Sequence, residues 1–289
     1  MEGGASCVPY DAWDVGTAGR RFVPGCHTPA TGGGVRWRDT ALCAQHALCN
    51  VSKRMRTQPR PVILLECSDL TAALIHEPPN LRRFRAESRM YVSAPEEPSA
   101  HWVTVHTGLP SAEDELNQKC IWDLASDHGL RVWVCGSPQT RYQLPLNGCV
   151  LPDASTSAAD PHPIDLLPYV RLGQGEPRWK LFRSYYRRMR PHLATFFVGN
   201  DYPELDTLLG RFLHLAGTDV TLVLVTAGGL CWIRTPERTH DGAEEKVPLR
   251  ALAPTVLRLL GVPIPARMTA PPLLGQRAHE SGSRVATLV

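Results

Sequence analysis

Val62-Ile-Leu-Leu-Glu66 is a short apolar run opened by two β-branched residues and closed by a carboxylate. A strand buried on both faces of a parallel sheet reads as a continuous apolar run, not as an alternation. Thr221-Leu-Val-Leu-Val-Thr226 repeats the pattern near the other end of the chain. Between them strands and helices alternate. A helical stretch over Pro79–Ser88 precedes a short strand, Met90–Ser93. Trp102–Thr107 is a buried stretch leading into Gly108-Leu-Pro110. A helix over Ile121–His128 ends at Gly129, a position that favours glycine just past a helix end. Leu130–Cys135 is a further strand, closed by Gly136-Ser137. Arg178–Arg190 is predicted helical, His192–Val198 a strand and Leu205–Ala216 a helix. Leu249–Leu260 is a helix stopped by Gly261 and Pro263. No internal repeat is present. The alternation predicts an α/β fold: one doubly wound, mostly parallel sheet with helices on both faces. Such sheets bind ligands beyond the carboxyl ends of their strands. That points to Glu66–Asp69, Cys135–Ser137, Val198–Asp201 and Thr226–Gly229.

The 289 residues carry 43% hydrophobic and 20% charged side chains, so a core can form and global disorder is excluded. The net charge of +3 demands neither a nucleic-acid nor a membrane partner. The cations are 27 Arg and 4 Lys, together 31, which reads as a coding bias. The longest apolar run, Val220–Val225, broken at Thr221, is far shorter than the ~20 residues of a spanning helix. Met1–Tyr10 lacks the apolar core of a secretory signal. Nine cysteines without framework spacing read as reduced thiols, and the location expected is cytoplasmic.

The organisation expected is a leader over residues 1–60, an α/β domain over 61–275 with a Pro- and Gly-rich cap or loop insert at about 138–177, and a flexible tail over 276–289. The leader holds Cys7, Cys26, Cys43 and Cys49. Cys43, His46 and Cys49 could share a helical face, with Cys26 and His27 as further ligands, but their spacing matches no standard zinc finger. Met55 opens Met-Arg-Thr-Gln-Pro-Arg-Pro directly before the first strand, and we take it as the expected native start.

Several segments together resemble the alkaline phosphatase superfamily, in particular type I phosphodiesterase/nucleotide pyrophosphatase-like proteins. They are Leu64-Leu-Glu-Cys-Ser-Asp69, Pro79–Phe84, Trp102-Val-Thr-Val-His-Thr-Gly-Leu-Pro110, Asp219–Thr226 and, most specifically, Leu252-Ala-Pro-Thr-Val-Leu-Arg-Leu-Leu-Gly-Val-Pro-Ile-Pro265. Glu66–Leu70, Glu97–Gly108 and Trp133–Ser137 are similar to an uncharacterised bacterial subgroup of that superfamily. The resemblance implies hydrolysis of a phosphate or sulfate ester, with two zinc-type ions activating a Thr or Ser nucleophile.

Position by position, little of that chemistry is kept. Asp69 matches the metal-ligating Asp after the first strand; its other reading is a helix N-cap. The nucleophile position falls on Pro98, and Ser99 beside it is the candidate nucleophile, with His101 as its base. Asp201 matches a remnant metal-ligating Asp. Thr226-Ala-Gly-Gly229 stands where an Asp-His pair is usual. Thr239-His240-Asp241-Gly242 makes His240 the best-matched candidate histidine. Ser126-Asp127-His128-Gly129 spells a superfamily metal motif but precedes its strand, the wrong end for the ligand crevice, and is set aside. His106 reads as a satisfied core histidine.

The sequence therefore implies a hydrolase-like protein with a degenerate divalent, zinc-type metal site on Asp69, Asp201 and His240, and a small phosphorylated or sulfated substrate. The alternative is a catalytically silent member that binds a phosphorylated ligand. A nucleic-acid role for Arg183-Ser-Tyr-Tyr-Arg-Arg-Met-Arg190, with Tyr stacking on bases, is disfavoured: at helical spacing Tyr and Met face a core.

Overall fold

The computed structural model describes residues 59–68, 70, 78–93, 98–110, 118–138, 140–153, 159–171, 176–199, 202–236 and 244–273, with 98–100, 199 and 202–204 as backbone only. All of them lie in the unit Thr57–Val289. In chain order the elements are β1 (Val62–Cys67), α1 (Pro79–Ala86), β2 (Arg89–Val92), α2 (Pro98–Thr107), α3 (Ile121–Asp127), β3 (Val132–Cys135) and β4 (Gly148–Leu151). Then follow α4 (Glu176–Met189), β5 (Leu193–Gly199), α5 (Tyr202–Ala216), β6 (Thr221–Thr226), β7 (Leu230–Arg234), β8 (Glu244–Lys246) and α6 (Leu252–Leu259).

The strands form one sheet in the order β4-β3-β5-β1-β6-β7-β2-β8. The first five run parallel, and β7 is antiparallel to both β6 and β2. The sheet is thus mostly parallel, as the apolar runs imply. β1 lies at its centre, pairing Val62 with Leu193 on one side and with Thr221 on the other. Every residue of β1 and β6 is buried, because helices cover both faces.

Alternate residues divide the core in two. Val62 and Leu64 join Trp102 and Val105 of α2, Ile121 and Trp122 of α3, and Leu252 and Val256 of α6. Ile63, Leu65 and Cys67 join Leu81 and Phe84 of α1, Trp179 and Phe182 of α4, and Leu208 and Phe212 of α5. By this alternation Glu66 and Thr195 are polar residues on the α2–α3–α6 face. Gly108 turns the chain off α2 at φ 68°, and a Cβ there would press on Ala253 and Pro254 at the start of α6. This close approach seats α2 against the closing helix.

Three local readings change. Trp102–Thr107 belongs to a helix, one buried on nearly every side, its polar residues Thr104, His106 and Thr107 included. The 138–177 insert contains β4. Its four residues form a strand only by pairing with β3, and Gly148 is required there because a side chain would collide with the Val132 carbonyl. β7 is the return arm of a hairpin, turned at Ala227-Gly228-Gly229 with Gly229 at φ 80°. Among the described residues no helix is long and apolar enough to cross a membrane.

Candidate functional site

Parallel pairing brings the carboxyl ends of β1, β3, β5 and β6 together. At that edge the α2–α3–α6 face carries a row of buried polar side chains. Glu66, the penultimate residue of β1, is fully enclosed. Its Oε1 accepts from Ser137 Oγ at 3.1 Å and lies 3.1 Å from His106 Nε2. Ser137 Oγ is 2.6 Å from Thr195 Oγ1 of β5. A hydroxyl has one proton. With Ser137 donating to Glu66, Thr195 must donate to Ser137, and the row runs Thr195 to Ser137 to Glu66, with His106 donating from the other side. It ties β5, β3, β1 and α2 together at the sheet edge. The core-histidine reading of His106 holds.

The ring of His106 is clasped between Trp122, at 4.7 Å, and Trp102, at 6.2 Å. Trp102 meets Phe197 of β5 edge-on. These aromatics exclude water from the row. Glu66 Oε2 and Thr104 Oγ1 are buried with no hydrogen-bond partner among the described residues, and the buried ring nitrogens of His101 make no bond of full hydrogen-bond geometry, with only the Thr226 backbone close by. Buried polar atoms left over in this way need an ordered water or a ligand atom. His101 has 1% of its surface exposed. Burial, then the neighbouring His106 charge, pull its pKa down to about 4, while the Thr226 backbone works the other way. The imidazole is therefore neutral near pH 7, with one nitrogen to donate and one to accept.

Two supports hold the rim. Asp123 closes the first turn of α3 by accepting from Cys120 N at 2.9 Å, and also accepts from Gln143 N at 2.7 Å, anchoring the segment after Ser137. Thr140 Oγ1 donates back to the Ser137 carbonyl. Beyond β3, Gly136 at φ 71° lies directly against the Arg178 guanidinium. Arg178 and Asp153 form a buried ion pair, 3.0 Å apart and 4% and 3% exposed.

The sequence candidates fall as follows. His101 is in this row. Ser99 lies in α2, its side chain outside the description. Positions 99 and 101, two apart in one helix, sit about 200° apart around its axis. Asp69, Asp201 and His240 lie outside the described residues. The set-aside motif is otherwise engaged: Asp127 pairs with Lys119 at 2.7 Å, and His128 Nδ1 meets the Leu124 carbonyl at 2.8 Å. Thr195 and Arg178 were not singled out from sequence. The only signal was a polar residue inside an otherwise apolar strand, and an Arg at a helical position facing inward.

No family profile matches the chain, and no curated protein matches it. Solved structures do. The molecule has the alkaline-phosphatase-like α/β fold. One structure sharing it is BT4656, solved in complex with its substrate D-glucosamine-2-N,6-O-disulfate: TM-score 0.54, 10% identity, covering 75% of this chain and 79% of that one. Another is the phosphonate monoester hydrolase SpPMH from Silicibacter pomeroyi: TM-score 0.50, 12% identity, covering 74% and 76%. Both belong to the alkaline phosphatase superfamily, which uses metal ions. Among the described residues no three of His, Cys, Asp and Glu are grouped to hold an ion. The described cysteines are free and buried, and burial pushes the Cys135 and Cys231 thiols up to about 12. Nor do the side chains of the Thr226–Gly229 turn supply a ligand set: Thr226 Oγ1 already accepts from Leu230 N, and Ala and Gly carry no side-chain donor atoms. The described side chains do not fit a metal centre.

Proposed function

We propose that the protein is a phosphate- or sulfate-ester hydrolase of altered site, acting on a small substrate at the carboxyl edge of the sheet. The observation that carries this is the buried polar row there, with Glu66 Oε2 left without a partner and His101 buried beside His106 and the Thr226 backbone, in an alkaline-phosphatase-like fold. The type I phosphodiesterase-like, bacterial subgroup is the finer reading and rests on the segment resemblance. In this reading His101 is the acid–base group, and Ser99, about 200° round α2 from it, is the candidate nucleophile without a direct bond to that base. An anionic ester beside His101 favours its charged form and raises its pKa from about 4 toward the working range of an acid–base group. Any zinc-type ion enters through Asp69, Asp201 and His240.

The test is metal content of the purified chain together with turnover of nitrophenyl phosphate, bis-nitrophenyl phosphate and nitrophenyl sulfate. Turnover that falls at least about tenfold in His101→Gln and in Ser99→Ala supports the reading, since positioned acid–base groups contribute about 10²–10⁴-fold. Turnover indifferent to both changes sinks the site.

A second reading, a silent member that binds a phosphorylated ligand, is favoured by the Thr226–Gly229 turn, whose side chains supply no ligand set where an Asp-His pair is usual. It expects no turnover with any ester, and thermal stabilisation by about 2.7 kcal/mol at a ligand concentration a hundredfold above the dissociation constant.

A further inference from the structure

The helix α4 sorts its side chains by direction. Trp179 and Phe182 enter the core. Lys180, Arg183, Ser184 and Arg187, at i, i+3, i+4 and i+7, are all exposed on the opposite face. Arg188 lies beside this stripe, and Arg190 and Arg131 are exposed at the C-terminal end of the helix. Lys180, Arg183, Ser184, Arg187 and Arg188 line an open groove of about 560 Å³. Glu176 is the only acid on the helix; it pairs with Arg211 and, at 3.8 Å, with Lys180. Arg183 and Arg187 pair with no described residue. In a chain of net charge +3, six cations on one flank are a segregation of charge, not an average surface. Like charges one turn apart oppose the helix, and Arg183 and Arg187 have no described acid to offset them.

The tyrosines of the same segment are closed to a ligand. Tyr185 stacks on Trp133 at 5.2 Å, with Arg188 over its ring at 5.4 Å, and Tyr186 stacks on Phe182 at 5.6 Å. There is no free aromatic platform for single-stranded bases. Nor is there an apolar anchor for a protein partner: the exposed large hydrophobic residues among those described, Leu144, Ile164 and Leu167, lie on the insert and not on this helix. Planar guanidinium forks on one straight face match phosphate oxygens and need neither. Arg183 and Arg187 are about 6 Å apart along the axis, so both can face phosphates of one strand. We propose that the outer face of α4 binds the phosphate backbone of duplex nucleic acid without reading its sequence.

The test uses the full chain and two fluorescent DNA duplexes of unrelated sequence, with anisotropy followed from 50 to 200 mM salt. Equal affinity for both is expected, with log K falling against log salt at a slope of about −4 for about four neutralised phosphates. Arg183→Gln with Arg187→Gln should shrink the slope by about two, while Arg183→Lys with Arg187→Lys keeps it and Arg258→Gln on α6 changes nothing. Far-ultraviolet circular dichroism establishes that each variant is folded. The proposal is overturned if the Gln pair binds like the parent, if one sequence or a single strand is preferred, or if the chain binds a sulfated polysaccharide or poly-glutamate but no duplex. It stands or falls independently of ester turnover.

Discussion

Asp123 and His101 pull the acid stability of the molecule in opposite directions. Burial pushes the Asp123 carboxyl up to about 6, against the two backbone N–H groups that favour its charged form. An unfolded Asp titrates near 3.9. Between about pH 4 and 6 the folded chain therefore holds a proton at Asp123 that the unfolded chain has lost, and this group makes stability fall as pH rises through that window. His101 is the reverse. Its folded pKa of about 4 lies below the unfolded value of about 6.5, so the unfolded chain takes up a proton first as pH falls. This group makes stability rise with pH between about 4 and 6.5, by at most about 1.4 kcal/mol per pH unit. The two slopes largely cancel over pH 4–6 in the parent. Urea midpoints across pH 4–7 should separate them: His101→Gln leaves the Asp123 slope, with stability declining as pH rises to 6, and Asp123→Asn leaves the His101 slope, with stability climbing. Parallel pH profiles for the two variants would contradict both assignments. Neither carboxylate nor imidazole could be given this role from sequence, since each depends on what the fold buries around it. The core position of His106 is legible, because a histidine inside a buried stretch must find a hydrogen-bond partner.

At the scale of elements, what the sequence made legible follows from how each piece is stabilised. β1 and β6 are central, enclosed on both faces, and written in apolar residues throughout, so they are read without knowing their neighbours. The closing helix α6 and its Gly261 stop are likewise local. β4 and β8 are short edge strands and β7 the return arm of a hairpin; their hydrogen bonds come from a partner far along the chain or across a turn, and they leave weaker local patterns. α2 is buried on nearly all sides, which erases the helical stripe. The element-level prediction concerns α4 and its contact with β4. The Arg178–Asp153 pair holds the start of α4 to the segment after β4, in a place where neither charge meets water. Removing one partner strands the other. Arg178→Met should cost about 3–5 kcal/mol in a urea melt, and Asp153→Leu with Arg178→Met much less than the sum of the single changes. Additive losses would show that the pair is two independent packing residues and not a coupled clamp.

For the whole molecule, the fold was legible further than the site. A βα alternation and a closing-helix pattern are distributed over some two hundred residues, and mistakes in single elements do not change the sheet they sum to. A site depends on a few atoms brought together at one edge: Thr195, Ser137 and Glu66 are far apart in sequence and meet only because β5, β3 and β1 are neighbours. The same long-range economy bears on where the folding unit begins: the unit that holds every described element starts at Thr57. The described members of both hydrophobic clusters lie between Val62 and Leu273, on the two faces of a single sheet. Apolar burial is the dominant favourable term in folding, and a chain shortened to begin at Met55 retains every described member of both clusters. It should express as a folded protein with a melting temperature within about 2 °C of the parent, the shift that about 0.5–1 kcal/mol produces in a domain of this size. Scanning fluorimetry of the two chains side by side measures this. A fall of more than about 5 °C, or aggregation of the shorter chain, would mean that residues before Met55 contribute to the core and that the boundary belongs elsewhere.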